Sequence, residues 1–259
     1  MNHATSADGT RVAWTAEGSG PAVLLVHGIT ENLRVWDPVA RRLTGERTVV
    51  RLDLRGHGAS GRADGYGLAA MVADAIAVIE AAGIERPDVV GHSLGGMVAS
   101  ALASAYPVRS VVNVDQPLAL AGFKAMLEPL RAPLEDPATF GPVMEQLMGQ
   151  LEGERLDPAE RTRLRALRRP FQEAVLGIWH DVWVLSEDDL AVLVNELLEG
   201  YRTPYLALHG IDPGPAYVDW LAARIPGAVV EVWPEYGHYP HLVDPDRFVE
   251  RLRAFWATA

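Results

Sequence analysis

Residues 91–95 read Gly-His-Ser-Leu-Gly, and Gly96 follows. The stretch lies directly after the short apolar run Asp88–Val90 and directly before the Ala-rich stretch Met97–Tyr106. A tight strand-to-helix turn holds Ser93 in a strained backbone conformation. Gly91 and Gly95 keep clear the space that side chains would take from the neighbouring strand and helix. Such a turn lifts the hydroxyl clear of a sheet and aims the Leu94 N–H, at a helix N-terminus, toward a developing oxyanion. A Gly-x-Ser-x-Gly pattern can also arise by chance in a chain with 24 glycines. The flanking strand and helix separate this one from coincidence.

The rest of the chain fits a turn of that kind. Val12–Thr15, Ala22–Val26, Thr48–Leu52, Asp88–Val90 and Arg109–Val114 are short β-rich runs, the first closed by the Gly18-Ser19-Gly20-Pro21 turn. Leu68–Ala82 and Met97–Tyr106 read as helices between them, with Gly83 and Pro107 at their ends. Apolar runs buried on both faces and separated by helices are what a parallel sheet requires. From 117 to 203 no strand is legible. Prolines 129, 133, 137, 142 and 158 divide helical stretches, and Asp157-Pro158-Ala159-Glu160 has the form of a helix N-cap with Pro at the first helical position. The alternation then resumes with Tyr205–Leu208, Tyr217–Arg224, Val229–Trp233 and Pro245–Trp256. The expected fold class is α/β, a doubly wound, mostly parallel sheet. Its core comprises 1–116 and 204–259, with a helical insertion at 117–203 after the sixth strand.

Composition narrows the partners. The net charge of −11 argues against nucleic acid or an anionic membrane surface. The absence of cysteine excludes disulfides, thiolate metal sites and Cys nucleophiles. Met1–Trp14 has no basic segment followed by an apolar stretch, and no apolar run approaches the roughly 20 residues of a membrane span. The expectation is a cytoplasmic protein that binds a small molecule. The sequence specifies no oligomeric state.

Two further stretches complete a catalytic pattern. His27-Gly28-Ile29-Thr30 ends an early strand, and the Ile29 N–H is a second candidate oxyanion donor beside that of Leu94. His27 itself reads as a loop-bonding residue. Gly237-His238 follows the last strand, where a compact loop would let the imidazole reach Ser93. His92 and His241 are the nearest competitors for the role of base. His92 lies within the turn and points away from Ser93, and His241 falls beyond the loop.

With these parts in this order, the chain resembles the α/β-hydrolase superfamily, its small serine esterase-like branch. Asp53-Leu54-Arg55-Gly56-His57-Gly58-Ala59-Ser60, Trp36 and Pro38 are similar to that family's pattern as well. The resemblance covers nearly all residues outside 117–203 and implies that the insertion forms a cap over the site. It also implies an acid between Ser93 and His238 in the chain. In the family the acid normally stands three residues beyond a Gly after the seventh strand. Here that position, counted from Gly210, is Pro213, and Asp212 stands one place early in a loop about three residues short. Other members carry the acid at the end of the sixth strand, where this chain has Asp115 in Val112-Asn113-Val114-Asp115-Gln116. Polar residues at a strand end need partners, so this end faces a polar network. Either carboxylate can serve, because chain order does not decide triad geometry.

The expected function is hydrolysis of a small ester or related acyl bond through an acyl-Ser93 intermediate, with His238 as general base and no metal or cofactor. A C–C bond hydrolase or lactonase would use the same groups, and a non-catalytic ligand receptor is the alternative from another class. Dehalogenases and epoxide hydrolases of this superfamily carry Asp where this chain has Ser93. In the insertion, Trp179, Trp183, Phe171, Leu176 and Leu185 read first as packing for the helices' own faces. The sharper reading is an apolar pocket with His180 at its edge.

Overall fold

The computed structural model describes all 259 residues. The strands are β1 (Asn2–Thr5), β2 (Arg11–Glu17), β3 (Ala22–Val26), β4 (Thr48–Leu52), β5 (Asp88–His92), β6 (Ser110–Val114), β7 (Tyr205–His209) and β8 (Val229–Val232). They form one sheet in the order β1-β2-β4-β3-β5-β6-β7-β8. β2 is antiparallel to both its neighbours, and every pair from β4 onward is parallel. β3, β5, β6 and β7 are buried almost throughout, as central strands covered on both faces must be.

Helices α1 (Asp37–Leu43), α2 (Leu68–Ala81) and α3 (Leu94–Ala105) belong to the first half of the chain. Between β6 and β7 lie only helices: α4 (Ala121–Leu127), α5 (Arg131–Glu135), α6 (Pro137–Leu151), α7 (Pro158–Leu167), α8 (Gln172–Val184) and α9 (Glu187–Leu198). The chain closes with α10 (Pro215–Arg224), α11 (Pro240–Val243) and α12 (Pro245–Trp256). Asp157 accepts from the N–H of Ala159 at 2.8 Å, the cap expected of Asp157-Pro158. On α12 the buried residues Phe248, Val249, Leu252, Phe255 and Trp256 recur at helical spacing and seal one face of the sheet together with α1. α2, α3 and α10 cover the opposite face. A third apolar cluster lies within the inserted helices and reaches Ile29 of the core.

Three elements ahead of β4 lie outside the runs read from the sequence. β1 buries a single side chain, Ala4, so no alternation marks it. The turn Leu33–Trp36 and α1 follow a loop pattern and owe their shape to packing against β4 and α12. The expected boundaries shift at the serine. β5 runs on through Gly91 and His92, and α3 begins at Leu94, so Ser93 stands alone between them. No helix is long and apolar enough to cross a membrane.

Candidate active site

Ser93 adopts φ 52° and ψ −125°, outside the regions L-residues prefer. Steric crowding explains the glycines around it. A Cβ on Gly91 would lie 1.9 Å from the Gly95 carbonyl oxygen, and one on Gly95 would lie 2.2 Å from that of Val26. The serine N–H donates to the Val114 carbonyl at 2.9 Å, which ties the turn to the end of β6. The next residue on β6 is Asp115, whose own N–H donates to Leu208 O of β7 at 2.8 Å. The parallel register of β5, β6 and β7 therefore delivers Ser93 and Asp115 to the same edge of the sheet.

His238 arrives there from the loop after β8. Its N–H donates to Leu151 O at 3.0 Å, and its carbonyl accepts from His92 Nε2 at 2.8 Å, so the backbone is held on both sides. Gly237 sits at φ 61°, and a Cβ there would meet the backbone of Gly153 at 2.9 Å. The imidazole Nδ1 is 2.6 Å from Asp115 Oδ2. The other carboxylate oxygen, Oδ1, accepts from Gly210 N at 2.8 Å and Ile211 N at 3.1 Å. His209 Nδ1 lies 3.7 Å from Oδ1 on the carboxylate's other side. Burial opposes ionisation of Asp115. The imidazoles of His209 and His238 and the Ile211 N–H outweigh it and hold the carboxyl below the usual range. Asp115 thus stays ionised, and His238 carries its ring proton on Nδ1.

Asp212 makes no such contact. It is exposed, and its Oδ1 accepts from Gly214 N at 2.8 Å within its own turn. Of the two acids the sequence leaves open, only Asp115 meets His238. His92 commits its Nε2 to the His238 carbonyl and holds Nδ1 3.5 Å from Glu31 Oε2. His241 is fully buried, with neither ring nitrogen hydrogen-bonded, and packs on Trp36 at 4.6 Å. Burial and the nearby His92 push its pKa well below 6.5.

The loop that carries Ile29 is pinned by its neighbours. Gly28 N–H donates to Glu31 Oε2 at 3.2 Å, and Thr30 N–H donates to His57 Nε2 at 3.1 Å. His27 Nδ1 donates to Gly28 O at 2.7 Å, and its Nε2 accepts from Leu54 N at 3.0 Å. Ile29, Ser93 and His238 line one small cavity of about 10 Å³, and Glu31, His92 and Tyr239 close it. The same three residues, with Leu94, also line a much larger cavity of about 1210 Å³ that extends under the inserted helices. No group of three or more His, Asp or Glu side chains has the arrangement of a metal site.

His27 and His57 are wholly buried, and burial lowers the pKa of each to about 4. For His57 the nearby His27 adds to the shift. The folded pKa lies below the unfolded value, so the unfolded chain binds more protons between pH 6.5 and 4. Stability is full above that window and falls as the pH drops through it. At pH 4.5 the loss is about 2–3 kcal/mol per histidine. Calorimetry at pH 7 and pH 4.5 should show the melting temperature falling by roughly 10 °C. A melting temperature unchanged across that interval would mean that these histidines are not held neutral.

One buried group was invisible to motif reading. Glu152, fully buried just after α6, accepts from Arg161 at 2.8 Å, Arg165 at 2.8 Å and Arg168 at 2.7 Å. Arg168 also donates to the Tyr239 hydroxyl at 2.9 Å. These contacts tie α6 and α7 to the loop that carries His238. The only sequence signal is an Arg stripe at 161, 165 and 168, the spacing of one helix face.

The insertion's aromatic residues divide between the two readings. Trp179 packs edge-on against Trp183, with ring centroids 5.9 Å apart, and also lines the large cavity. Trp183 donates to Leu127 O at 3.3 Å and only packs. His180 is exposed and outside the cavity, so the expectation of a histidine at the pocket edge is corrected. On α8 the residues facing inward are 175, 178, 179 and 182, and position 180 falls on the solvent side of that spacing.

The chain is similar to other proteins along nearly its whole length. Residues 23–251 match the model of the alpha/beta hydrolase family. The 2-hydroxymuconate semialdehyde hydrolase of Pseudomonas putida is 31% identical over 98% of this chain and 93% of its own length. The pimeloyl-(acyl-carrier protein) methyl ester esterase of Chromobacterium violaceum is 31% identical over 91% of this chain and 94% of its own. Among solved structures, a hydrolase from Pseudomonas aeruginosa superposes with a TM-score of 0.82 at 23% identity, covering 100% of this chain and 98% of that one. The turn at Ser93, the parallel sheet that carries it and a match running nearly end to end agree: this chain belongs to the alpha/beta hydrolase family.

Proposed function

We propose that this chain is a serine hydrolase that cleaves an ester or related acyl bond, with Ser93, His238 and Asp115 as its triad. The observation that carries the reading is the 2.6 Å contact between His238 Nδ1 and Asp115 Oδ2, made at the sheet edge where Ser93 also stands. An Nδ1–H committed to an ionised carboxylate leaves Nε2 unprotonated, the form a general base needs. His238 takes the Ser93 proton as the oxygen adds to the substrate carbonyl. The Ile29 and Leu94 N–H groups stabilise the resulting oxyanion. The C–O bond of the ester breaks, and the alkoxide leaves with the proton from His238. Water then adds to the acyl-Ser93 carbonyl while His238 takes its proton, and collapse returns that proton to Ser93 and frees the acid. The inserted helices act as a cap that shields the acyl-enzyme from bulk water.

Mixing the enzyme with excess p-nitrophenyl acetate should release a burst of p-nitrophenol equal to the enzyme concentration before the steady state. A fluorophosphonate should add one mass increment, located on the peptide that contains Ser93. No adduct and no turnover, in protein shown to be folded, would overturn the reading.

A further inference from the structure

The large cavity does not end at Ser93 and His238. It follows α3 past Leu94, Met97 and Ala101 to Ser104 and Ala105, which are exposed at the far end. These positions recur at helical spacing, so one face of α3 forms the floor. α2 forms one side with Met71, and α9 forms the other with Val194 and Leu197. Leu94 and Ala105 stand about 16 Å apart along the helix. An extended chain advances about 1.2 Å per bond, so roughly a dozen bonds fill that length.

The lining also specifies the charge of its occupant. Of 36 lining residues 25 are hydrophobic, and none is Lys or Arg. The charged side chains that reach it are Asp115, Asp181 and Asp212. Asp115 is committed to His238. The nearby Lys124 donates to the carbonyls of Val182 and Trp183, at 2.9 and 3.2 Å. A carboxylate carried partway along the channel, short of the exposed end, would leave water with no cation to receive it.

We infer that the substrate is an ester of an uncharged, apolar acyl group that extends roughly a dozen carbons along α3, with its carbonyl at Ser93. The inference rests on the serine hydrolase reading and adds to it the class of acyl group.

The test is a series of p-nitrophenyl esters from acetate to tetradecanoate, together with the mono-p-nitrophenyl ester of octanedioic acid, whose carboxylate falls midway along the channel beside buried Met97 and Ala101. For the unmodified enzyme kcat/KM should climb by roughly threefold per methylene through the middle of the series. It should level off near dodecanoate. That midway carboxylate should lower kcat/KM at least tenfold against octanoate. Ala101→Phe, which blocks the channel midway, should lower the dodecanoate-to-butyrate ratio of kcat/KM at least tenfold. If that variant does not fold, Ser104→Trp at the exposed end should lower the tetradecanoate-to-butyrate ratio. A profile that is flat or falling beyond butyrate, or equal use of the carboxylated ester, would overturn the inference while leaving a working serine hydrolase. Failure to turn over any ester and to take up a fluorophosphonate would instead remove the underlying reading, and this inference with it.

Discussion

Ser93→Ala should lower kcat on an activated ester by about 10⁶-fold, leaving only what the oxyanion donors and substrate binding supply. The substitution deletes one oxygen and keeps a Cβ, so the turn at φ 52° retains its geometry and the melting temperature should stay within a few degrees. Steady-state kinetics on p-nitrophenyl butyrate, beside a thermal melt of the same preparation, reads both quantities. His238→Ala should cost a similar amount in kcat. His241→Ala should act mainly on stability, because that ring packs on Trp36 and bonds to nothing. Residual activity above a few per cent in Ser93→Ala would place the nucleophile elsewhere.

Asp115→Asn should lower kcat by about 10⁴-fold, and Asp212→Asn should change it by less than a few-fold. The contrast follows from the partners of each group. An Asn at 115 has a single acceptor oxygen, and the N–H groups of Gly210 and Ile211 claim it. Its NH₂ then faces His238 Nδ1 and donates to it. That forces the ring proton onto Nε2, where it blocks transfer from Ser93. Asp212 only closes its own turn through Gly214, and Asn can accept the same bond. The two kcat values measured side by side decide the matter. A larger loss at 212 would make Asp212 the acid and leave Asp115 a structural group.

The parts legible in the sequence are those whose physical demand is local. Gly91 is dictated by contact with Gly95 of its own turn, and Gly95 by the Val26 carbonyl of β3, the strand beside the turn. Gly237 is marked locally by its φ of 61°, while the space it leaves is taken by Gly153, just after α6. The runs from Ala22 to Val26 and from Ser110 to Val114 announce buried parallel strands because both of their faces must be apolar. Charge and apolar run lengths likewise need no fold to be read.

The choice between Asp115 and Asp212 is of another kind. The partner of His238 lies 123 positions away in the chain and reaches it only because β6 pairs with β7 and leaves Asp115 beside the Gly210 and Ile211 N–H groups. Nothing local distinguishes the two carboxylates. The burial of Glu152 beneath three arginines is equally non-local, since it depends on α7 folding back over the end of α6. The cavity along α3 depends on α9, nearly a hundred residues on, which touches that helix where Ser104 Oγ donates to Leu197 O at 2.7 Å and contributes Val194 and Leu197 to the lining. Trp179 shows the limit within one side chain. Its helical spacing marks it as inward-facing, but whether inward means core or cavity depends on what the opposite wall leaves open. Sequence alone located most of the sheet, the turn at Ser93 and the loop at His238, because turn conformation and strand burial leave their mark in consecutive residues. Tertiary structure decided which carboxylate meets His238, the clamp on the histidine loop and the shape of the cavity, because each joins groups that only the packing of distant elements brings into contact.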